Sequence, residues 1–324
     1  MKICFLGNFA INFTSETHWA KSIESLGHEV VRLQEQVADT KTVYDTAREC
    51  DVFIWVHTHG WDTPKSEGFG DMGAVLRMLK EVSIPTVAYH LDLYMGLGRW
   101  TEYKNNPYLK DLQYFFTVDK FMADWLNENT DTVGIYLPAG VFGEECVMLP
   151  YQPVRYDIVF TGSRNYHKEY PFRPQLIDFL RRTYGNRFIH IGNDGDVGQR
   201  RGLELNQIYR NAKIVVGDTL QMNFDYPYYF SDRAFEVPGR GGFSIFPNIK
   251  GIEYWYEDGK EVVLYKHGDL DDLKNKIDYY LTHPLERETI RKAGFERTKL
   301  DHTYMKRWES ILNEIISLPY LMKR

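Results

Sequence analysis

The chain has 324 residues, of which 43% are hydrophobic and 26% charged, enough for two ordinary domains with a core each and too apolar for a disordered chain. No window approaches the ~18 to 20 uninterrupted apolar residues of a membrane span, MKICFLGNFA lacks the layout of a signal peptide, and Cys4, Cys50 and Cys146 are scattered outside any CxxC pair, so a cytoplasmic protein without disulfide framework or cysteine-held zinc is expected. The formal charge of −6 is uneven: residues 1–150 carry 12 Lys/Arg against 21 Asp/Glu and residues 151–324 carry 27 against 24, which favours the second half for a phosphate-bearing ligand and argues against a long nucleic-acid track in the first.

In chain order the pattern is strand, loop, helix, repeated. KICFLG is an apolar run ending at Gly7, SETHWAKSIESLG has Trp19, Ile23 and Leu26 at helical spacing with Gly27 as a stop, and EVVRL follows as a strand, which makes a βαβ unit. Further strands are expected at 51–56, 85–90, 114–118 and 133–138, with helices at 71–82 and 120–128. The alternation predicts a parallel sheet covered on both faces, over residues 1–148. The loop LPYQPVRY gives a linker at 149–156, after which the pattern restarts. Strands are expected at 157–162, 187–192, 213–218 and 241–246, with helices at 173–184, 203–211, 231–239 and 270–282. This second doubly wound domain spans 157–301. Residues 302–324 form a tail in which Trp308, Ile311, Leu312 and Ile315 lie at helical spacing, an amphipathic helix that returns to the first domain in two-domain enzymes of this shape.

Ligands of open parallel sheets bind beyond the carboxyl ends of the strands. The loops there hold Gly7-Asn8-Phe9, His57-Thr58-His59-Gly60, His90-Leu91-Asp92, Gly162-Ser163-Arg164, Gly192-Asn193-Asp194 and Asp218-Thr219, so these segments, in two domains facing a cleft, are where chemistry is expected.

The segment SDRAFEVPGRGGFSIFPNIKGIEYWYEDGKEVVLY, followed by DDLKNKIDYYLTHPLERETIRKAGFERTKLDHTYMKRW, resembles the C-terminal domain of group 1 glycosyltransferases (family-4-like), especially the CgeB-like, spore-maturation-protein branch. The features that carry the resemblance are S-x-R-x-F-E, the Gly-Gly strand entry, G-K-E-V-x-x-Y and the H-T-Y ending, in that order. LGHEVVRL and PTVAYHLDLY resemble pieces of the family's acceptor-side domain. The resemblance implies a GT-B fold, hexosyl or pentosyl transfer from a nucleotide sugar (a UDP- or GDP-sugar) as co-substrate, retention of anomeric configuration and no obligatory metal or other cofactor.

Carried over residue by residue, the resemblance makes Glu236 the acceptor of hydrogen bonds from the ribose hydroxyls, a task that suits a carboxylate. It places Arg164 and Lys168 on the donor diphosphate, where positive charge meets the growing negative charge of the leaving group, and His90, beside Asp92, near the donor sugar. Ser231, Arg233, Gly241 and Gly242 belong to the same donor segment, with Gly162 and Ser163 and, from the first half, Gly7 and Asn8. Tyr228 stands where many members carry a second glutamate, which alters the sugar pocket. His57, His59, Trp61 and Asp62 form an acceptor-side group; a general base, needed only for inversion, would be one of the two histidines, Asp62 or Asp92, and stays unassigned. A zinc site from His57, His59 and His90 is the weaker reading of those imidazoles, and Asp194-Gly195-Asp196 reads as a turn. The acceptor stays open between a glycan, a small molecule and a hydroxymethylated DNA base, which would have to be flipped into the cleft. A nucleotide-sugar epimerase and a non-catalytic nucleotide-sugar-binding protein are the rival readings.

Overall fold

The computed structural model describes residues 1–57, 63–106, 108–153, 156–165, 167, 169–221 and 225–317. It divides into two compact units, Met1–Pro138 joined by the C-terminal helix, and Ala139–Thr303.

The first unit contains β1 (Lys2–Gly7), α1 (Ser15–Ser25), β2 (Glu29–Gln34), α2 (Thr40–Ala47), β3 (Val52–Trp55), α3 (Met72–Glu81), β4 (Thr86–His90), the single turns α4 (Trp100–Tyr103) and α5 (Tyr108–Asp111), β5 (Tyr114–Thr117), α6 (Lys120–Asn129) and β6 (Val133–Tyr136). Its strands form one parallel sheet in the order β2-β1-β3-β4-β5-β6. Successive strand side chains point to opposite faces. Cys4, Leu6, Phe53, Trp55, Ala88 and Phe115 accordingly share a core with Val43 of α2 and Val75, Leu76 and Leu79 of α3. Phe5 and Tyr89 point the other way, toward Trp19 of α1 and Trp308. Thr14, Asp39, Asp71 and Asp119 each accept a backbone N–H in the first turn of the helix that follows, so the strand-end loops lead into capped helices.

The second unit contains β7 (Ile158–Thr161), α7 (Phe172–Tyr184), β8 (Phe188–Ile191), α8 (Gly202–Asn211), β9 (Ile214–Val216), α9 (Arg233–Gly239), β10 (Ser244–Asn248), β11 (Val263–Lys266), α10 (Leu270–Thr282) and α11 (Pro284–Asp301). Its parallel sheet has the order β11-β10-β9-β7-β8. The chain then enters α12 (Tyr304–Ser317), which counts with the first unit. Trp308 of α12 is fully buried, 5.9 Å from Trp19, and Arg307 Nε donates to Pro138 O at 2.9 Å. The amphipathic stripe seen in the sequence therefore covers one face of the first sheet.

Three elements were absent from the sequence reading, α2, β11 and α11, besides the single turns α4 and α5. Residues 139–148 also count with the second unit, ten residues earlier than the boundary expected at 148. Asn206 Nδ2 donates to the carbonyls of Glu145 (2.7 Å) and Val147 (2.9 Å), and Val141 pairs with Thr303 and packs with Cys146 and Phe295. These bonds hold the segment to the second unit. Among the described residues no helix is long and apolar enough to cross a membrane.

Candidate active site

In a doubly wound sheet the crevice opens where the strand order reverses. In the first sheet that point lies between β1 and β3, and in the second between β7 and β9.

The second crevice is bounded by the loop after β7, and Arg233, the first residue of α9, lies across it. Arg233 Nε donates to Thr161 O at 2.7 Å, and its guanidinium packs against Gly162, where a Cβ would meet Nη2 at 2.2 Å. Gly162 has φ +125°, a conformation open to glycine, so both the backbone and the arginine require this residue. Gly162 O accepts from His190 Nε2 at 2.6 Å, and the carbonyl of Ser163 accepts from Arg173 Nη1 at 3.2 Å. Arg173 Nε donates in turn to Asp218 Oδ2 at 2.9 Å, both side chains being buried. Asp218 O accepts from Ser231 Oγ, and Ser231 N donates to Thr219 Oγ1, each at 2.9 Å. Ser231 thus uses hydroxyl and amide to hold the entry to α9, and one connected framework sets the β7 loop, the β9 loop and α9.

Glu236 lies one turn after Arg233 on the same face of α9. Its carboxylate accepts from Arg240 Nη2 at 3.2 Å while its side chain keeps 30% exposure. Arg240 is buried and also donates to Glu145 Oε2 and, at 2.8 Å, to Asn206 Oδ1. Desolvation opposes its charge, but the Glu236 and Glu145 carboxylates outweigh this and hold it above the usual guanidinium pKa. Among the described residues Arg233 pairs with no carboxylate, and beyond its bond to Thr161 O its guanidinium rests on Gly162. Arg164 is differently placed. Its guanidinium makes a bidentate pair with Asp178 at 2.6 Å for both bonds, which raises the arginine's pKa and lowers the aspartate's, and its amide bonds to Asp194. Lys168 lies outside the described residues. Gly241, at φ +76°, ends α9 against Met148, and Gly242 packs under Val237 and Tyr209, so packing accounts for both. Tyr228 is a non-glycine residue at φ 63° whose ring fills the space a Cβ on Gly251 would take. The Asp194 and Asp196 carboxylates accept backbone amides, from Arg164 in the loop after β7 and from His190 of β8.

At the first crevice, Gly7 leaves room for Glu16, whose side chain a Cβ would meet at 2.9 Å, and Asn8 is buried with its Oδ1 accepting from Ala10 N. Glu35 and His57 come together here. His57 Nδ1 lies 2.5 Å from Glu35 Oε1, which also accepts from Trp55 Nε1 at 2.8 Å. Glu35 was missed in the sequence, although it directly follows β2 and satisfies the strand-end criterion applied to the other loops. His59, Trp61 and Asp62 lie outside the described residues. Asp92 is 3.9 Å from Arg99, and His90 bonds instead to Tyr103 Oη at 2.9 Å.

His90 is 2% exposed, and burial, with smaller contributions from the His57 and Arg99 charges, pushes its pKa down to about 3. It is therefore a neutral post at physiological pH. A histidine depressed on folding contributes stability that is whole above its unfolded pKa of ~6.5 and is lost as the pH falls toward the folded value. Unfolding free energy is expected to drop by about 2 kcal/mol per such histidine between pH 6.5 and 5. His267, lowered to about 4 mainly by burial, adds to the same slope. Urea midpoints at the two pH values should differ less in His90→Gln than in the parent.

Two parallel doubly wound units on one chain, each with its own crevice, define a GT-B fold. Residues 173–313 match the family described as glycosyl transferase-like. No curated protein sequence matches the chain. Among solved structures, a glycosyltransferase from Rickettsia africae is 13% identical with a TM-score of 0.65, covering 98% of each chain. HepE from Anabaena, solved with UDP and glucose, is 13% identical with a TM-score of 0.64, over 98% of this chain and all of that one. An alpha-glucosyltransferase solved with UDP-glucose and DNA containing an abasic site is 11% identical with a TM-score of 0.66, over the same shares.

Proposed function

We propose that the protein is a glycosyltransferase that moves a sugar from a nucleotide donor, a UDP-sugar first among those to test, to a hydroxyl acceptor. The observation that carries this reading is the pairing of Arg233 and Glu236 on one face of α9, beside the crevice between β7 and β9. Glu236, steadied by Arg240, accepts from the ribose diol, and the Arg233 guanidinium stabilises the charge that grows on the departing diphosphate, so no divalent ion is required for that task. The UDP series comes first because HepE and the alpha-glucosyltransferase were solved with UDP or UDP-glucose. The acidic first 150 residues favour a neutral glycan or small-molecule hydroxyl over DNA as acceptor. Cys4, Cys50 and Cys146 are buried free thiols, which suits a reducing compartment such as the cytoplasm.

The test is a thermal-shift screen of nucleoside diphosphates and nucleotide sugars with chelator present. UDP or a UDP-sugar should raise the melting temperature. Glu236→Ala should weaken that binding by about 10- to 100-fold, as expected for lost charged hydrogen bonds of about 1.5–3 kcal/mol. Unchanged affinity in the variant would move the ribose site elsewhere, and no shift with any nucleotide would defeat the transferase reading.

A further inference from the structure

We propose that Arg287, with Arg210 and Tyr151 beside it, forms an oxyanion site within the second unit that takes a phosphate group and is separate from the donor crevice.

The place is the amino end of the second sheet. Asp157 precedes β7, Lys213 precedes β9, Arg210 lies in the last turn of α8, and Arg287, Glu288 and Arg291 lie near the start of α11. The crevice between β7 and β9 opens beyond the carboxyl ends of the same strands, so the two places are at opposite ends of β7 and β9.

Cations outnumber carboxylates here. Arg187 and Lys213 share Asp157, at 2.6 and 2.8 Å, and Arg210 and Arg291 share Glu288, at 3.1 and 2.9 Å. Glu286, next to Arg287 in sequence, accepts instead from the Tyr279 and Tyr280 hydroxyls. Burial first, and then the Arg210 and Arg287 charges, bring the Arg291 pKa down to about 10 against the pull of Glu288.

Five backbone carbonyls account for Arg291, and Leu149 O with Glu288 accounts for Arg210. Arg287 has no such account. It is 7% exposed, and among the described residues it donates only from Nη1, to Tyr280 O at 2.5 Å. Its Nε is buried without an acceptor among those residues, an unfavourable state for a charged group. Burial lowers its pKa, outweighing the Glu288 and Asp157 carboxylates. A single bond to a carbonyl needs no charge. A guanidinium whose other nitrogens lack acceptors suits an anion, and phosphate meets its planar fork with two oxygens. Tyr151, 55% exposed, lies with its ring 5.3 Å from the Arg210 guanidinium and is near enough to act on the Arg287 charge. It therefore borders the site and offers an apolar face to whatever carries the phosphate.

The phosphate comes either free or on a larger molecule, and two probes separate these sources. Thermal shift and titration calorimetry with inorganic phosphate and with phenyl phosphate, each against sodium chloride of equal ionic strength, are run in Arg233→Ala, so that the donor crevice contributes little. Both probes should raise the melting temperature. Equal affinities assign the site to free phosphate, and tighter phenyl phosphate assigns it to a phosphate ester resting on Tyr151. Arg287→Gln, added to that background, should weaken binding about 10- to 100-fold, as expected for lost charged hydrogen bonds. Glu288→Gln should instead tighten it by about threefold or more, because a competing carboxylate is gone. A merely structural cluster gives no such gain, and this variant decides the matter if Arg287→Gln does not fold. No shift beyond that of chloride, unchanged affinity in a folded Arg287→Gln, or no gain in Glu288→Gln would each overturn the proposal. UDP binding by the parent is a separate measurement and bears only on the transferase reading.

Discussion

Replacing Arg240 with methionine is expected to lower folding stability by about 3–5 kcal/mol, the usual cost of breaking a buried ion pair from one side. Arg240 is 4% exposed and joins Glu145, Glu236 and Asn206. Without it Glu145, itself 7% exposed, keeps a buried charge with no other cation paired to it among the described residues. The second variant decides the cause. Glu145→Gln combined with Arg240→Met removes the stranded charge, and calorimetric unfolding should show part of the lost stability restored, because residues in one network couple by about 0.5–3 kcal/mol. Donor affinity should stay low in both variants, since Glu236 has lost its anchor in each. Single and double variants of equal stability would mean that the loss arises from packing of the arginine stem and not from the charge left behind.

That network also marks the limit of what the sequence disclosed. The strands were legible because each is a short apolar run bounded by turn residues, and the C-terminal helix because Trp308, Ile311, Leu312 and Ile315 form one stripe. Helix α11 was not, because the face it buries includes Arg287, Arg291, Gly294 and Thr298 beside Ile290 and Phe295, a composition that reads as polar. Arg291 is buried because it donates to five backbone carbonyls, those of Tyr209, Arg210, Ala212, Lys213 and Gly241, in part at the C-terminal end of α8, where helix carbonyls lack intrahelical partners. Burial lowers its pKa to about 10. Strand β11 is only four residues long and was absorbed into the motif around it.

The site followed the same division. Positions at strand ends could be found by pattern, as with Gly162, His57 and Glu236 by its motif. Partners could not. Arg164 and Arg233 are both basic residues near expected ligand loops, and only the fold shows that Asp178, fourteen positions along the chain, neutralises one while the other rests its Nε on Thr161 and faces no acid among the described residues. Glu35 likewise lies 22 residues from His57, a distance that no local spacing rule connects.

The contrast between the two arginines leads to the largest expected effect on activity. Arg233→Ala should lower turnover by about 100- to 1000-fold, the range for losing one preorganised donor aimed at developing charge, whereas Arg164→Ala should change it by less than about threefold, since a half-exposed surface pair with Asp178 contributes little. Arg233→Lys should recover only part of the loss, because an ammonium lacks the planar fork that lets Nε hold Thr161 O while the other nitrogens meet phosphate oxygens. Gly162→Ala supplies an independent check that leaves the charge in place. Its Cβ would fall 2.2 Å from Arg233 Nη2, on a backbone at φ +125°, so the guanidinium must move and turnover should fall toward that of Arg233→Ala. Steady-state kcat and KM for the UDP-sugar, with UDP affinity measured separately, distinguish these outcomes. Loss of turnover in Arg164→Ala with Arg233→Ala unimpaired would reassign the diphosphate to Arg164 and require its release from Asp178 when donor binds.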